Sequence, residues 1–441
     1  MSGITKTRLE FVSQDTLPDI PVQILRENDY YGVFSFETEK NVRLNQKIVP
    51  HLFHIMIDIS ETMLEPISPI NKHTKLDIVI HTIRDMLYYL ANRHPNNYVI
   101  IKGFGSYIHT YVEKTEVTPK NVEKLLSCIK QNIHRASSAD IGLVLNQLKL
   151  DVSNNAGPDQ SVLFFTDGLG DINANPDVLL EQILPDVPSH YITVGYTHNS
   201  DLMYRLGHAH ANTSNWFIDN EDQIENISNE ILFNELNKCA SDICITVTYG
   251  TIFDYNRGCF VKQLQLGGVT YDSKRHFHIV SNHMHDCSVI LQSGTTQILS
   301  EKLLSVPTHI PMYITQQYLR LGVQYMQASA LLNTNNANTC AIHKQQYELY
   351  LNMLKPVDLF MRVLISDIQI LIKYVESESP DQVHTYLNAR MDSHGLERTY
   401  GTVDEISLLL NTNNIEPPKL VRHDVDNNFD YFSSENADIN S

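Results

Sequence analysis

At 441 residues, 42% of them hydrophobic, the chain carries apolar material for two or three cores. Its formal net charge of -18 argues against a general nucleic-acid binder, because affinity for phosphates comes from Lys and Arg. The six cysteines form no CxxC pair and no zinc-ligand spacing, which points to reduced thiols in a cytosol-like compartment.

Residues 1–48 are extended in pattern. Tyr31 to Glu37 is rich in β-formers with partial alternation, and Pro18 and Pro21 punctuate the segment before it. This is too little to fold alone, so these strands are expected to pair with something later. From Val49 to about Ile57 runs a short, bounded apolar stretch of the kind that makes a buried parallel strand. It ends in Asp58, with hydroxyls at Ser60 and Thr62. Open α/β sheets place ligands at the carboxyl ends of their strands. An acid and two hydroxyls converging there suit a hard cation such as Mg²⁺, with Mn²⁺ and Ca²⁺ as alternatives.

A helix is predicted over Asn71 to Arg93, with Val79, Ile80, Ile83, Met86, Leu87 and Leu90 on one side and Pro95 as its stop. Tyr98 to Lys102 and Ile108 to Val112 read as strands, the second as an antiparallel edge. Pro119 opens a helix with the stripe Val122, Leu125, Leu126 and Ile129, and Asp140 can cap another running to about Leu150. Strand Val162 to Phe165 then ends in Thr166-Asp167-Gly168. Further helices are predicted over Pro176 to Ile183, Ser200 to His208 and Glu221 to Lys238, with strands at His190 to Val194 and Trp216 to Ile218. Strands alternating with helices imply a doubly wound parallel sheet covered on both faces. If the two acid-terminated strands are neighbours in it, Asp58 and Asp167 face each other across one crevice.

After Cys239 the pattern changes. Ile243 to Tyr249, Cys259 to Leu266, Phe277 to Val280 and Val289 to Leu291 read as strands of an antiparallel β-domain over 240–308. Residues 1–48 are expected to complete this sandwich, with residues 49–239 inserted within it. The period turns helical over 309–415: one helix holds Tyr318, Leu321, Val323, Tyr325 and Met326, a second Tyr347 to Leu354, and a third Phe360, Leu364, Ile368, Leu371 and Val375. A weaker fourth lies around Val383 to Met391. Residues 416–441 are acidic and asparagine-rich and are expected to be a disordered tail. No apolar run spans a bilayer, since Leu359 to Val375 is broken by Arg362, Asp367 and Lys373. The amino terminus lacks the layout of a signal peptide. His276, His278, His283, His285 and Cys287 could in principle hold a transition metal, but without a recognised spacing a polar strand face and a turn is the better reading.

Asp58-Ile59-Ser60-Glu61-Thr62-Met63 resembles the D-x-S-x-S-M signature of von Willebrand factor A domains, and Thr166-Asp167-Gly168 resembles their later T/S-D-G loop. Asn215-Trp216-Phe217-Ile218-Asp219 is similar to their final strand, and the resemblance runs from about Val49 to Cys239. It implies a Rossmann-like fold and a metal-ion-dependent adhesion site with ligands at Asp58, Ser60, Thr62 and Asp167. It also implies a threonine in a middle loop. Here Ser137-Ser138-Ala139-Asp140-Ile141-Gly142 stands in that place and Ala139 has no oxygen to give, so the motif is degenerate. Ser137, Ser138 or Asp140 could compensate. With the β-segment and helices that follow, the chain is similar to intracellular von Willebrand A proteins of plants, protists and large DNA viruses, whose A domain is joined to an intein-associated or RING-linked module. No RING spacing is present.

These readings lead to a non-enzymatic, cytoplasmic (or virion) scaffold that binds another protein, a partner's Asp or Glu completing the cation's shell. Two rivals stand beside it: a metal-free structural component of a virion or large assembly, and a metal-dependent hydrolase. For the last, phosphatases of similar topology place a second acid two residues after the first, where this chain has Ser60, which is no general acid.

Overall fold

The computed structural model of the protein describes residues 4–39, 49–67, 73–93, 96–133, 136–169, 175–195, 197–218, 224–271, 273–294, 296–302, 312–332, 337–357, 359–376 and residues 383, 386 and 387. The expected tail lies outside these residues. So does most of the fourth C-terminal helix, of which Val383, Tyr386 and Leu387 are helical and buried.

A sheet of six strands organises the middle of the chain. Strand β3 (His51–Asp58) is buried at every residue, as a run whose interior is apolar but for His54 requires, and His54 is paired with Gln160 at 2.8 Å. It lies between β4 (Asn97–Phe104) and β6 (Asp159–Phe165), parallel to both. β7 (Ser189–Val194) and β8 (Thr213–Ile218) continue the parallel side, and β5 (Ile108–Glu116) closes the other edge antiparallel, giving the order β5-β4-β3-β6-β7-β8. Alternation along β3 sends Phe53, Ile55 and Ile57 to one face, where α1 (Lys75–Arg93), α2 (Val122–Asn132) and α6 (Ile224–Leu236) cover them. Met56 points the other way, towards α3 (Ile141–Asn154), α4 (Pro176–Leu180) and α5 (Ser200–Gly207).

The chain enters and leaves this unit through two antiparallel sheets. β1 (Ile4–Ser13) pairs with β2 (Tyr30–Thr38), and β2 pairs with β13 (Lys274–Ser281), with Phe34 opposite Phe277. β10 (Thr251–Asp254) and β11 (Cys259–Val261) complete a five-stranded sheet, order β1-β2-β13-β10-β11. The second sheet has the order β12-β9-β14-β15, from β9 (Lys238–Thr248), β12 (Gln263–Thr270), β14 (Ser288–Ser293) and β15 (Thr296–Lys302). Leu9, Phe11, Phe34 and Phe36 meet Ile243, Ile245, Val289 and Leu291 in one core between the sheets.

The stretch Cys259 to Leu266, expected as one strand, is two: it changes sheets at Lys262, whose carbonyl accepts from the Val247 amide at 2.9 Å. The outer face of β2 carries Tyr31 and Val33, which pack on Ile314, Tyr318 and Leu321 of α7 (Met312–Leu332). α7 then shares a core with α8 (Ala337–Met353) and α9 (Leu359–Glu376). Among the described residues no helix is long and apolar enough to cross a membrane.

Candidate functional site

Strand β3 delivers Asp58 to the carboxyl rim of the central sheet, and the neighbouring β6 delivers Thr166 and Asp167 beside it. Both acids are fully buried. One Asp58 oxygen accepts from the Ser60 amide at 2.9 Å, and the other from the Thr166 hydroxyl at 2.6 Å. Burial pushes the Asp58 carboxyl up to about 6; the Thr166 and Ser60 hydrogen bonds pull it down, and the neighbouring Asp167 raises it further. A short 3-10 turn over Glu61–Leu64 turns Thr62 back over the crevice. Ser60 Oγ and Thr62 Oγ1 are 3.1 Å apart, and Thr62 donates to Asp167 Oδ1 at 3.2 Å. The four residues the motif singles out are thus brought together at one point.

The middle loop packs against them. The Ala136 amide donates to the Ile59 carbonyl, and the Asp140 amide to that of Gly105. Gly105 is needed there, because a Cβ on it would sit 2.1 Å from Ala136 Cβ. Ala139 is buried in the apolar cluster of α3, Ser137 is exposed and Ser138 is half-buried. Asp140 is exposed and its Oδ1 accepts from the Leu143 amide at 2.7 Å as the cap of α3.

One residue of the crevice had not been singled out. Lys75, the first residue of α1, has a side chain of 0% exposure whose ammonium lies 2.8 Å from Asp167 Oδ2. It also donates to the Thr197 carbonyl at 2.6 Å and to Glu65 Oε2 at 3.2 Å.

No protein-family model matches the sequence, and no curated protein matches it. Among solved structures, a von Willebrand factor type A protein from Catenulispora acidiphila is similar with a TM-score of 0.55 at 11% identity, over 88% of this chain and 97% of that one. The central unit has the von Willebrand factor A fold. A second structure, the ArnB paralog VWA2 from Sulfolobus acidocaldarius, is similar over 88% of this chain and 98% of that one, with a TM-score of 0.47 at 11% identity.

Whether the A-domain crevice fits Mg²⁺ is a question of donors and charge. Magnesium demands near-octahedral oxygen ligation. Ala139, which stands where the motif implies a threonine, is buried in the apolar cluster of α3 and has no oxygen to offer, and Asp140 is engaged as a helix cap. Asp167 Oδ1 already accepts from Thr62 and from the Leu169 amide at 3.0 Å, and Oδ2 holds Lys75. A divalent ion on this carboxylate would meet the repulsion of an ammonium on the same group. These residues do not fit a tightly held divalent cation.

A second polar cluster lies at the opposite, amino end of the sheet. Ser161 donates to Glu235 Oε2, and His51 Nε2 is 2.9 Å from Ser161 Oγ. Glu235 also meets His190 Nε2 at 3.1 Å and Lys238 Nζ at 2.7 Å. Since Ser161 gives its only hydrogen to Glu235, His51 Nε2 must be the donor to Ser161 Oγ. The histidine therefore does not take a proton from that serine, and the set is a buried network rather than an activated nucleophile. Three strand starts carrying polar residues in apolar runs were the only sequence signal for it.

The histidines of the β-domain do not gather. His278 Nδ1 pairs with the Tyr31 hydroxyl at 2.8 Å and its Nε2 with Gln324 at 3.1 Å. His283 and His285 are exposed, while Cys287 lies in the core between the sheets. Among the described residues no three His, Cys, Asp or Glu side chains are grouped to hold a metal ion.

Proposed function

We propose that the chain is a non-enzymatic protein-interaction scaffold whose A domain meets a partner protein at the carboxyl rim of its sheet, with the β-sandwich and helices as its frame. The observation that carries this reading is the convergence of Asp58, Ser60, Thr62 and Asp167 at one point on that rim, where sheets of this topology bind. The chemistry of the residues supports it against a hydrolase. Ser60 stands where a phosphatase of similar topology carries its second acid, and the Ser161 cluster holds its serine as a donor to Glu235. A magnesium bridge to a partner's Asp or Glu forms no part of this reading, because the donor set is an oxygen short and Lys75 already balances Asp167.

The rim presents the exposed Glu61 and Glu65 beside half-buried Thr62. The test is affinity isolation from the native cell of three forms: the unaltered chain, Glu61→Arg, and Lys124→Glu on the exposed side of α2. A protein retained by the first and third but lost from the second supports binding at the rim. Retention of the same proteins by all three, or turnover of a phosphoester that disappears in Asp58→Asn, sinks the proposal.

A further inference from the structure

Lys75 occupies a position that needs a reason. It opens helix α1, where the helix dipole disfavours a positive charge, and its side chain is 0% exposed. Its neighbours cap the helix without it. The Thr74 amide and hydroxyl donate to Asp77 Oδ2 at 2.9 and 2.7 Å, and the Asp77 amide donates back to Thr74 Oγ1 at 3.1 Å. Burying an ammonium is expensive unless it is paired and its hydrogens are all accepted. Here they are: an ammonium has three hydrogens, and Asp167 Oδ2, the Thr197 carbonyl and Glu65 Oε2 stand at 2.8, 2.6 and 3.2 Å.

The acceptors come from three separate loops of the rim. One follows β3 and carries Glu65, one follows β6 and carries Asp167, and one follows β7 and carries Thr197. Drawing loops together over an acid is the task a divalent ion would perform in a crevice of this kind. The hydroxyls are turned to match, since Thr62 spends its hydrogen on Asp167 Oδ1.

We infer that Lys75 is the built-in cation of this A domain: its ammonium neutralises Asp167 and ties the rim loops together in place of a divalent metal ion. The loss of the middle-loop hydroxyl at Ala139 follows from it, because with no ion to ligate an oxygen there has no partner to serve. The crevice is then held ready in the absence of magnesium, and chelators leave it intact. The inference concerns the electrostatics of the crevice and is independent of which partner the rim binds.

The test is a metal titration with no partner present. The unaltered chain, Lys75→Met, Ala139→Thr and the double variant Lys75→Met/Ala139→Thr are melted with and without about 10 mM Mg²⁺ or Mn²⁺, and again with EDTA. A site with a Kd of about 1 mM raises the folding constant roughly elevenfold at that concentration. The unaltered chain and Ala139→Thr are expected to show no metal-dependent rise in melting temperature. The double variant is expected to melt lower than the unaltered chain without metal and to gain at least that elevenfold with it. A rise in the unaltered chain that EDTA reverses overturns the inference. So does a double variant that folds but gains nothing from either ion. If the double variant is unfolded without metal, its refolding on addition of Mn²⁺ supports the inference, and the titration of the unaltered chain decides it where no refolding occurs.

Discussion

Acidification should weaken this protein through His51, and the size of the effect follows from where the imidazole sits. The residue starts β3, is 6% exposed and packs its ring 4.3 Å from that of Phe53. Its Nε2 donates to Ser161, which in turn donates to Glu235. Burial pushes its pKa down to about 4; Glu235 pulls the other way, while Lys238, His190 and His54 push it further down. In the unfolded chain an ordinary histidine titrates near 6.5. Between these values the unfolded state binds the proton and the folded state does not. The stability that depends on a neutral His51 is therefore present above pH 6.5 and is lost as the pH falls through about 4. A gap of about 2.5 units is worth about 3 kcal/mol in full, of which about 2 kcal/mol is gone by pH 5. The assay is urea unfolding at pH 7.5 and pH 5, comparing the unaltered chain with His51→Gln, whose amide can still donate to Ser161. The variant should lose about 2 kcal/mol less between the two pH values. Parallel losses in the two proteins would mean that His51 titrates as if exposed, and the buried-network account of the sheet's amino end would be wrong.

Three further perturbations probe what holds the parts together. Gly267 has a φ of 66°, and a Cβ on it would lie 2.3 Å from the Ala211 carbonyl oxygen, so Gly267→Ala should cost about 2–4 kcal/mol, read as a lowered melting temperature. Asp151 holds the nearly buried Lys102 ammonium at 2.6 Å; Asp151→Ala leaves that charge without its partner on β4 and should cost about 3–5 kcal/mol in urea unfolding. Phe34 is fully buried against Phe36 and Phe277, so Phe34→Ala should cost about 3–5 kcal/mol if β2 is integral to the sandwich, and under 1 kcal/mol if residues 4–38 are a dispensable arm.

The fold class was legible because its signals are local. A run without alternation, apolar but for His54, such as Leu52 to Ile57, is what a strand covered on both faces requires, and the acid at its end marks the carboxyl rim of the sheet. Strands with helices between them left few topologies open. Where periodicity failed, it failed because it reports which side of a strand is buried and not which sheet the strand joins. Cys259 to Leu266 looked continuous although the chain changes partners at Lys262, and four-residue β10 was too short to register.

The candidate site divided the same way. Asp58, Ser60, Thr62 and Asp167 were readable because each lies next to a strand end, and the pairing of β3 with β6 brings them together. Lys75 was not, since a lysine at the start of an amphipathic helix is ordinarily a solvated residue. Its burial depends on Asp167 and Thr197, far along the chain, closing over it. The pattern of hydroxyls and acids names the oxygens of the crevice, but the charge that meets them comes from elsewhere in the sequence. A reading confined to the motif assigns that charge to a metal by default. Ala139 was the visible departure from the pattern, and a buried ammonium on Asp167 is a sufficient physical reason for it.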